Sequence, residues 1–232
     1  MKKLTIMAVL AFCSITLFAQ YDGPTAPDYK LIERNINNSS SNFNYSNLME
    51  RYKLGDSTMT VDEQRHLYFG YVFQPSYNPA DTSQYNARMA TVLNKQYFSD
   101  RDYDDVLQFA DALLAEDPFN MRALNAKLLV YAQKNNVDAY KKTAQQRNIV
   151  QRAIISSGDG MLKSTPYYVI KVSHEYDLLG FLGFKFGGQD KIEKNCDCNS
   201  LTLAPNRFGV DKMYFNISPT FDYVKRKGSG KI

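Results

Sequence analysis

Cys196-Asp197-Cys198 places two thiols one residue apart, a spacing open to three chemistries. As thiolates they can supply half of a zinc site, which needs four ligands; His66 and His174, the only histidines, are the remaining nitrogen donors. Joined to each other, they close a small, strained disulfide ring that is more oxidising than an ordinary structural bridge. Thiol oxidoreductases, however, space their cysteines as Cys-x-x-Cys beside a helix start, and this pair follows Lys194-Asn195 in an expected loop. The plain reading is a structural disulfide or two turn cysteines.

His174-Glu175-Tyr176-Asp177 follows the best strand pattern in the chain. An imidazole flanked by the carboxylates of Glu175 and Asp177 has the parts of a general base. That supports a hydrolase reading, with a His/acid site between helices and sheet. The pattern lacks a nucleophile: Ser173 is adjacent, but on an extended strand it points to the opposite face. Gly158 and Gly160 flank no serine, as a nucleophile elbow requires. The alternative is a polar strand end with a hydrogen-bonded histidine. His66 stands four residues after Asp62, a helical spacing that suits a surface pair. Gly180-x-x-Gly183 and Gly187-Gly188 are too sparse to cradle a phosphate, and there is no P-loop or dinucleotide fingerprint. The carboxylates are scattered, with no glycosidase pair singled out. None of these motifs calls for a cofactor.

Tyr68, Tyr71 and Tyr77, with Tyr85 nearby, cluster around a proline-bounded segment, Gln74-Pro75-Ser76-Tyr77-Asn78-Pro79. Exposed tyrosines bury large area with few rotors and so make good contact surfaces. The other reading puts the rings in the core with their hydroxyls at its rim. The first makes Tyr68, Tyr71 and Tyr77 the binding residues for a protein or peptide partner.

The elements that must carry these residues are mostly helical. Asp28 can cap a short helix to about residue 34, and the Asn/Ser-rich stretch 35–47 reads as loop. A second short helix over 47–53 stops at Gly55. Thr60-Val61-Asp62-Glu63 is a capping box that starts a helix running to about Phe73. Pro75 and Pro79 then exclude helix. Helices are predicted over 85–97, 103–116, 121–134 and 137–156, with Asp102, Asn120 and Asn136 as caps for the last three. After Gly158-Asp159-Gly160 the pattern changes to Tyr167-Tyr168-Val169-Ile170-Lys171-Val172-Ser173, a β-branched and aromatic strand. Residues 184–186, 201–203 and 213–217 are further strands. The fold class is α+β: a helical N-terminal two-thirds, then a small antiparallel sheet.

Composition and charge narrow the function classes. The 232 residues are 44 % hydrophobic and 22 % charged, with 12 Gly and 8 Pro, which excludes disordered and fibrous chains. Lys2 and Lys3, the apolar run 4–18 and Ala19 form a secretory signal peptide cut after Ala19. Phe12 before Cys13 is too large for a lipidation site. Cleavage takes the chain from 232 to 213 residues, from net charge +4 to +2, and from three cysteines to two. Lys225, Arg226, Lys227 and Lys231 then carry the positive charge in a tail, so no basic face for nucleic acid is expected. No later segment is apolar and long enough to span a membrane. The expected divisions are a signal peptide at 1–19, a helical region at 20–157, a small β region at 158–224 and a basic tail at 225–232.

The helical region resembles tetratricopeptide repeats, whose period is 34 residues. In the units 87–120 and 121–154, Leu93, Tyr97 and Pro118 fall at motif positions, as do Leu124 and Tyr131, with Ala110, Ala112 and Ala115 on the second helix. Asn94 and Leu128 stand where the motif wants small residues, Lys127 where it wants Leu, and Arg152 replaces the second proline. A plain antiparallel bundle is the alternative. The chain as a whole, through Leu67-Tyr68-Phe69-Gly70-Tyr71, the proline-bounded segment, His174 to Leu179, Gly188-Gln189 and Met213-Tyr214-Phe215-Asn216-Ile217, resembles a domain-of-unknown-function family of exported proteins from Gram-negative gut anaerobes. The resemblance implies an envelope location, periplasmic or secreted, and a helical-then-strand layout; it transfers no catalytic residue. The expected role is therefore a non-catalytic binding or scaffold module.

Overall fold

Capping chemistry sets most of the helix starts. Asp28 accepts from Leu31 N at 3.0 Å and opens α1, Tyr29–Ile36; Asn44 opens α2, Tyr45–Leu54, which ends at Gly55 in the left-handed conformation. Thr60 and Glu63 form the expected capping box at the head of α3, Val61–Gly70, and a 3-10 turn, Tyr71–Phe73, follows. Ser83 caps α4, Gln84–Leu93. Asn120 caps α6, Met121–Gln133, and Asn136 caps α7, Val137–Ile155. For α5, Asp100–Glu116, the cap is Ser99; Asp102 is its capping-box partner three residues in, so the helix begins earlier than the sequence suggests. The computed structural model describes residues 23–80 and 82–228, and the signal peptide expected at 1–19 lies outside them.

Helices α4 to α7 form two hairpins. α4 and α6 start 37 residues apart, as do α5 and α7, and their caps keep the same spacing. The spacing is 37 rather than 34, so Tyr97 does not take the place of Tyr131. α4 ends before it, and Tyr97 is exposed. Each helix packs on the next in sequence, α4 on α5, α5 on α6, α6 on α7. α6 is buried on two sides. Ala123, Ala126 and Val130 join Met89, Val92, Val106, Ala110 and Leu113 in a small core, while Met121 belongs to the larger one. That is why its sequence is apolar around most of its circumference.

The larger core joins α1, α2, α3 and α7 to the sheet. Its centre is aromatic: Phe119 meets Tyr52, Tyr68 and Tyr71 with ring centroids 5.2 to 5.8 Å apart. Arg65 on α3 ties the lead-in down, donating to Ser156 O at 2.9 Å and Thr25 O at 2.8 Å.

The sheet has four strands in the order β1-β4-β3-β2: β1, Tyr167–Tyr168; β2, Phe186–Ile192; β3, Cys198–Leu203; β4, Lys212–Asn216. β2, β3 and β4 are antiparallel, but β1 runs parallel to β4, so the sheet is mixed. β2 is an exposed edge with an irregular register between Phe186 and Asp190. β3 is covered on both faces, which buries Asn199 and Ser200.

Two expectations change here. The strand expected through Ser173 stops at Tyr168, because β4, its only neighbour among the described residues, ends at Asn216. The chain then turns into α8, Ser173–Phe181, with His174, Glu175, Leu178 and Leu179 buried at helical spacing. A last helix, α9, Ser218–Gly228, occupies a stretch where no element was expected and takes Lys225, Arg226 and Lys227 into its final turn. Ser218-Pro219 was its start signal. Among the described residues no helix is long and apolar enough to cross a membrane.

Candidate functional site

The three carboxyl and imidazole candidates sit on α8 rather than at a strand end, and the helix aims them at different layers. His174 is 1 % exposed. Its Nδ1 lies 2.7 Å from the hydroxyl of Tyr68 on α3. That hydroxyl already accepts from Ile170 N at 3.3 Å, so its own hydrogen is available for Nδ1 and the ring proton is assigned to Nε2. Tyr77 completes the arrangement by donating to Ile170 O at 2.6 Å. A core backbone turn is thus held by two tyrosines and a histidine from three segments.

Glu175 faces the sheet. It is fully buried, and Oε2 accepts from Asn199 Nδ2 on β3 at 2.8 Å. Among the described residues, Glu175 Oε1 and Asn199 Oδ1 have no hydrogen-bond partner. Burial drives the Glu175 carboxyl up to about 8, against the Asn199 bond, which favours the charged form. The group therefore holds its proton at neutral pH. Asp177 lies on the side of α8 toward α6, with Oδ1 3.8 Å from Arg122 Nε. Neither His174 nor Glu175 reaches solvent, and the three side chains find their partners on α3, β3 and α6 respectively.

Cys196 and Cys198 sit at the hairpin between β2 and β3. Both are free thiols; Cys196 is partly exposed and Cys198 buried. Asn195, at φ 67°, makes the tight reversal. Among the described residues no group of three or more His, Cys, Asp or Glu side chains is placed to hold a metal. His66 is engaged elsewhere, stacked on Phe43 with centroids 3.9 Å apart and in hydrogen-bond contact with Asn35 and Asp62 O.

Tyr68, Tyr71 and Tyr77 are buried, at 0 %, 2 % and 4 % exposure. Tyr68 and Tyr71 pack on Phe119 and Tyr77 packs on Tyr71, while Tyr77 also lines a surface depression. The core reading of the cluster is the one the structure realises.

What sequence reasoning missed is a groove. α4 and α6 flank a depression of about 400 Å³ walled by Met89, Ala90, Leu93, Ala126 and Leu129, with Asn86, Arg122 and Asn125 as its polar members. Leu129 is 45 % exposed. Asn125 is held from behind by Arg147 Nη1 at 3.0 Å. The only sequence trace of the groove is the run of apolar residues on α6 that exceeds one helical stripe. Lys171 is a second omission: it is buried and paired with Asp117 at 2.6 Å, beside a cavity of about 60 Å³.

These features define an α+β protein in which stacked helical hairpins with a small core of their own adjoin a larger core under a mixed sheet, with an open groove on the hairpins. The family model described as Domain of unknown function (DUF4919) matches residues 30–226, and the chain belongs to that family. No curated protein and no solved structure matches the chain.

Proposed function

We propose that this chain is an exported, non-catalytic module that holds a peptide segment of a partner protein in the α4–α6 groove. The observation that carries the reading is the groove itself: an open apolar trough with a large exposed Leu129, on helices that are otherwise well packed. α4 has ten residues and is about 15 Å long. That length suits about four or five residues of an extended peptide. Asn86, Arg122 and Asn125 offer polar groups to its backbone or side chains. The hairpin pair has the general plan of a tetratricopeptide stack, with the longer spacing given above. The leader supports export to the envelope, periplasmic or released.

The test is retention of envelope proteins on the immobilised chain, followed by mapping of the bound segment. Wild type is expected to hold a partner that Leu129→Asp releases. Leu54→Asp, at a still more exposed leucine on α2 far along the chain, should not affect it. Equal retention by wild type and Leu129→Asp, or retention of nothing, would count against the groove.

A further inference from the structure

The hairpin between β2 and β3 carries a pair of thiols that the binding reading does not use. Cys196 is partly exposed, Cys198 is buried at 1 % exposure, and the two thiols are near enough to interact directly. The backbone around them is fixed: Ile217 N donates to Asp197 O at 2.8 Å, and Glu193 N donates to Cys198 O at 2.9 Å. The Lys163 ammonium, tied to Glu193 at 2.6 Å, sits close to the pair, where it favours the Cys198 thiolate. Asp197 opposes it from the same turn.

We propose that Cys196 and Cys198 form a reversible dithiol–disulfide site that reacts with small-molecule disulfides, Cys196 attacking and Cys198 resolving. The Cys196 thiolate attacks one sulfur of a disulfide R–S–S–R, forms a mixed disulfide and expels RS⁻, which takes a proton from water. Cys198 then loses its proton to solvent and attacks Cys196 Sγ. The mixed bond breaks, a second RS⁻ leaves, and the ring closes. Two protein thiols are oxidised and one external disulfide is reduced to two thiols. The order follows from access: only Cys196 is open to a reagent. Burial and the neighbouring Cys196 also push the Cys198 thiol up to about 12, so it keeps its proton until the mixed disulfide places a sulfur beside it. A ring closed over a single intervening residue is strained, so excess thiol should reopen it.

The sequence makes the test direct. Trypsin cuts after Lys194 and after Arg207, so peptide 195–207 carries both thiols and leaves Cys13 out. The full chain is equilibrated with mixtures of reduced and oxidised glutathione, quenched in acid, alkylated and digested. As oxidised glutathione rises, the peptide should pass from doubly alkylated to unalkylated and two hydrogens lighter, without attached glutathione. Excess reduced glutathione should reverse this. Cys198→Ser should stop at glutathione on Cys196. A peptide that stays doubly alkylated at every ratio, or a wild-type peptide that ends with glutathione on Cys196, overturns the proposal. The wild-type titration decides this even where the variant folds poorly.

Discussion

Tyr68 and His174 stand 106 positions apart and share a 2.7 Å hydrogen bond in the core. The bond joins α3 to α8, and through Ile170 it fixes the crossing between β1 and α8. Tyr68→Phe keeps the ring but leaves His174 Nδ1 and Ile170 N–H unpaired in a site where water cannot replace the hydroxyl. The expected loss is about 2–3 kcal/mol, measured by urea unfolding. Tyr71→Phe is the internal comparison, because its hydroxyl makes only long bonds, 3.3 Å to Ser76 O and 3.4 Å to Glu116 O. It should cost under about 1 kcal/mol. Equal midpoints for the two variants would show that the Tyr68–His174 bond contributes nothing particular.

Glu175 gives the fold a defined pH dependence. Its carboxyl ionises near 8 in the folded chain, against 4.5 as the ordinary value. Between these two values the folded state binds the proton more tightly than the unfolded state does. Stability from this group is therefore complete below pH 4.5 and falls as pH rises through 8. The slope approaches about 1.4 kcal/mol per pH unit for one proton. Asp56 and Glu193 act at the opposite end. Hydrogen bonds from Thr58 and Arg51, and from Lys163 and Ser200, hold both carboxyls down to about 2, and their contribution is lost in acid. Glu175→Gln keeps the shape and the Asn199 contact and has no proton to lose. Unfolding free energies across pH 5–9 should decline for wild type and stay flatter for Glu175→Gln. Parallel curves would mean that Glu175 is already ionised at neutral pH.

The sequence carried the helices well because their signals are local. The Asp28, Asn120 and Asn136 caps, the Thr60–Glu63 box and the left-handed Gly55 each act within one turn of chain. The α+β layout followed from them. The region after residue 168 depends on partners far away. Val169, Ile170 and Val172 suit a strand, but a strand needs a neighbour, and β4 ends before it can serve. His174 and Glu175 stand out in the sequence as polar groups at an expected strand end, but their burial on α8 depends on Tyr68 and Asn199, which no local pattern reveals. The groove was invisible for the same reason: it is the space between α4 and α6, and neither helix shows it alone.

Gly158 is a position where only glycine fits. A Cβ there would stand 2.0 Å from Pro166 O and 2.6 Å from Pro166 C, which are backbone atoms and cannot swing aside. The close approach lets Asp159 N and Gly160 N both donate to Thr165 O, at 3.1 and 2.8 Å, closing the loop that leads into β1. Gly158→Ala should force that loop open and cost about 1–3 kcal/mol, as overpacking does. Gly180→Ala, in a helix with nothing within 4 Å of the added carbon, should be neutral or stabilising by up to about 1 kcal/mol. Thermal unfolding of the two variants side by side checks the contrast, and a Gly158→Ala melt equal to wild type would contradict the packing described.

Lys171 and Asp117 form an ion pair 2.6 Å long with both side chains largely out of water. The pair links the turn between α5 and α6 to the segment before α8, so it joins the hairpin stack to the sheet side of the core. Removing one partner strands the other charge in a site that cannot hydrate it. Lys171→Met should therefore cost about 3–5 kcal/mol. Asp117→Asn should cost less, because the amide oxygen can still accept from Lys171, at the expense of the bond from Phe119 N, which lies 3.3 Å from Asp117 Oδ1. The double variant Lys171→Met with Asp117→Leu removes both charges and fills similar volume, and should recover most of the loss. The double-mutant cycle in urea, closed with the Asp117→Leu single variant, measures the coupling. A double variant as unstable as the sum of the singles would mean that the two charges do not act as a pair. A recovered double variant would locate the cost in the stranded charge.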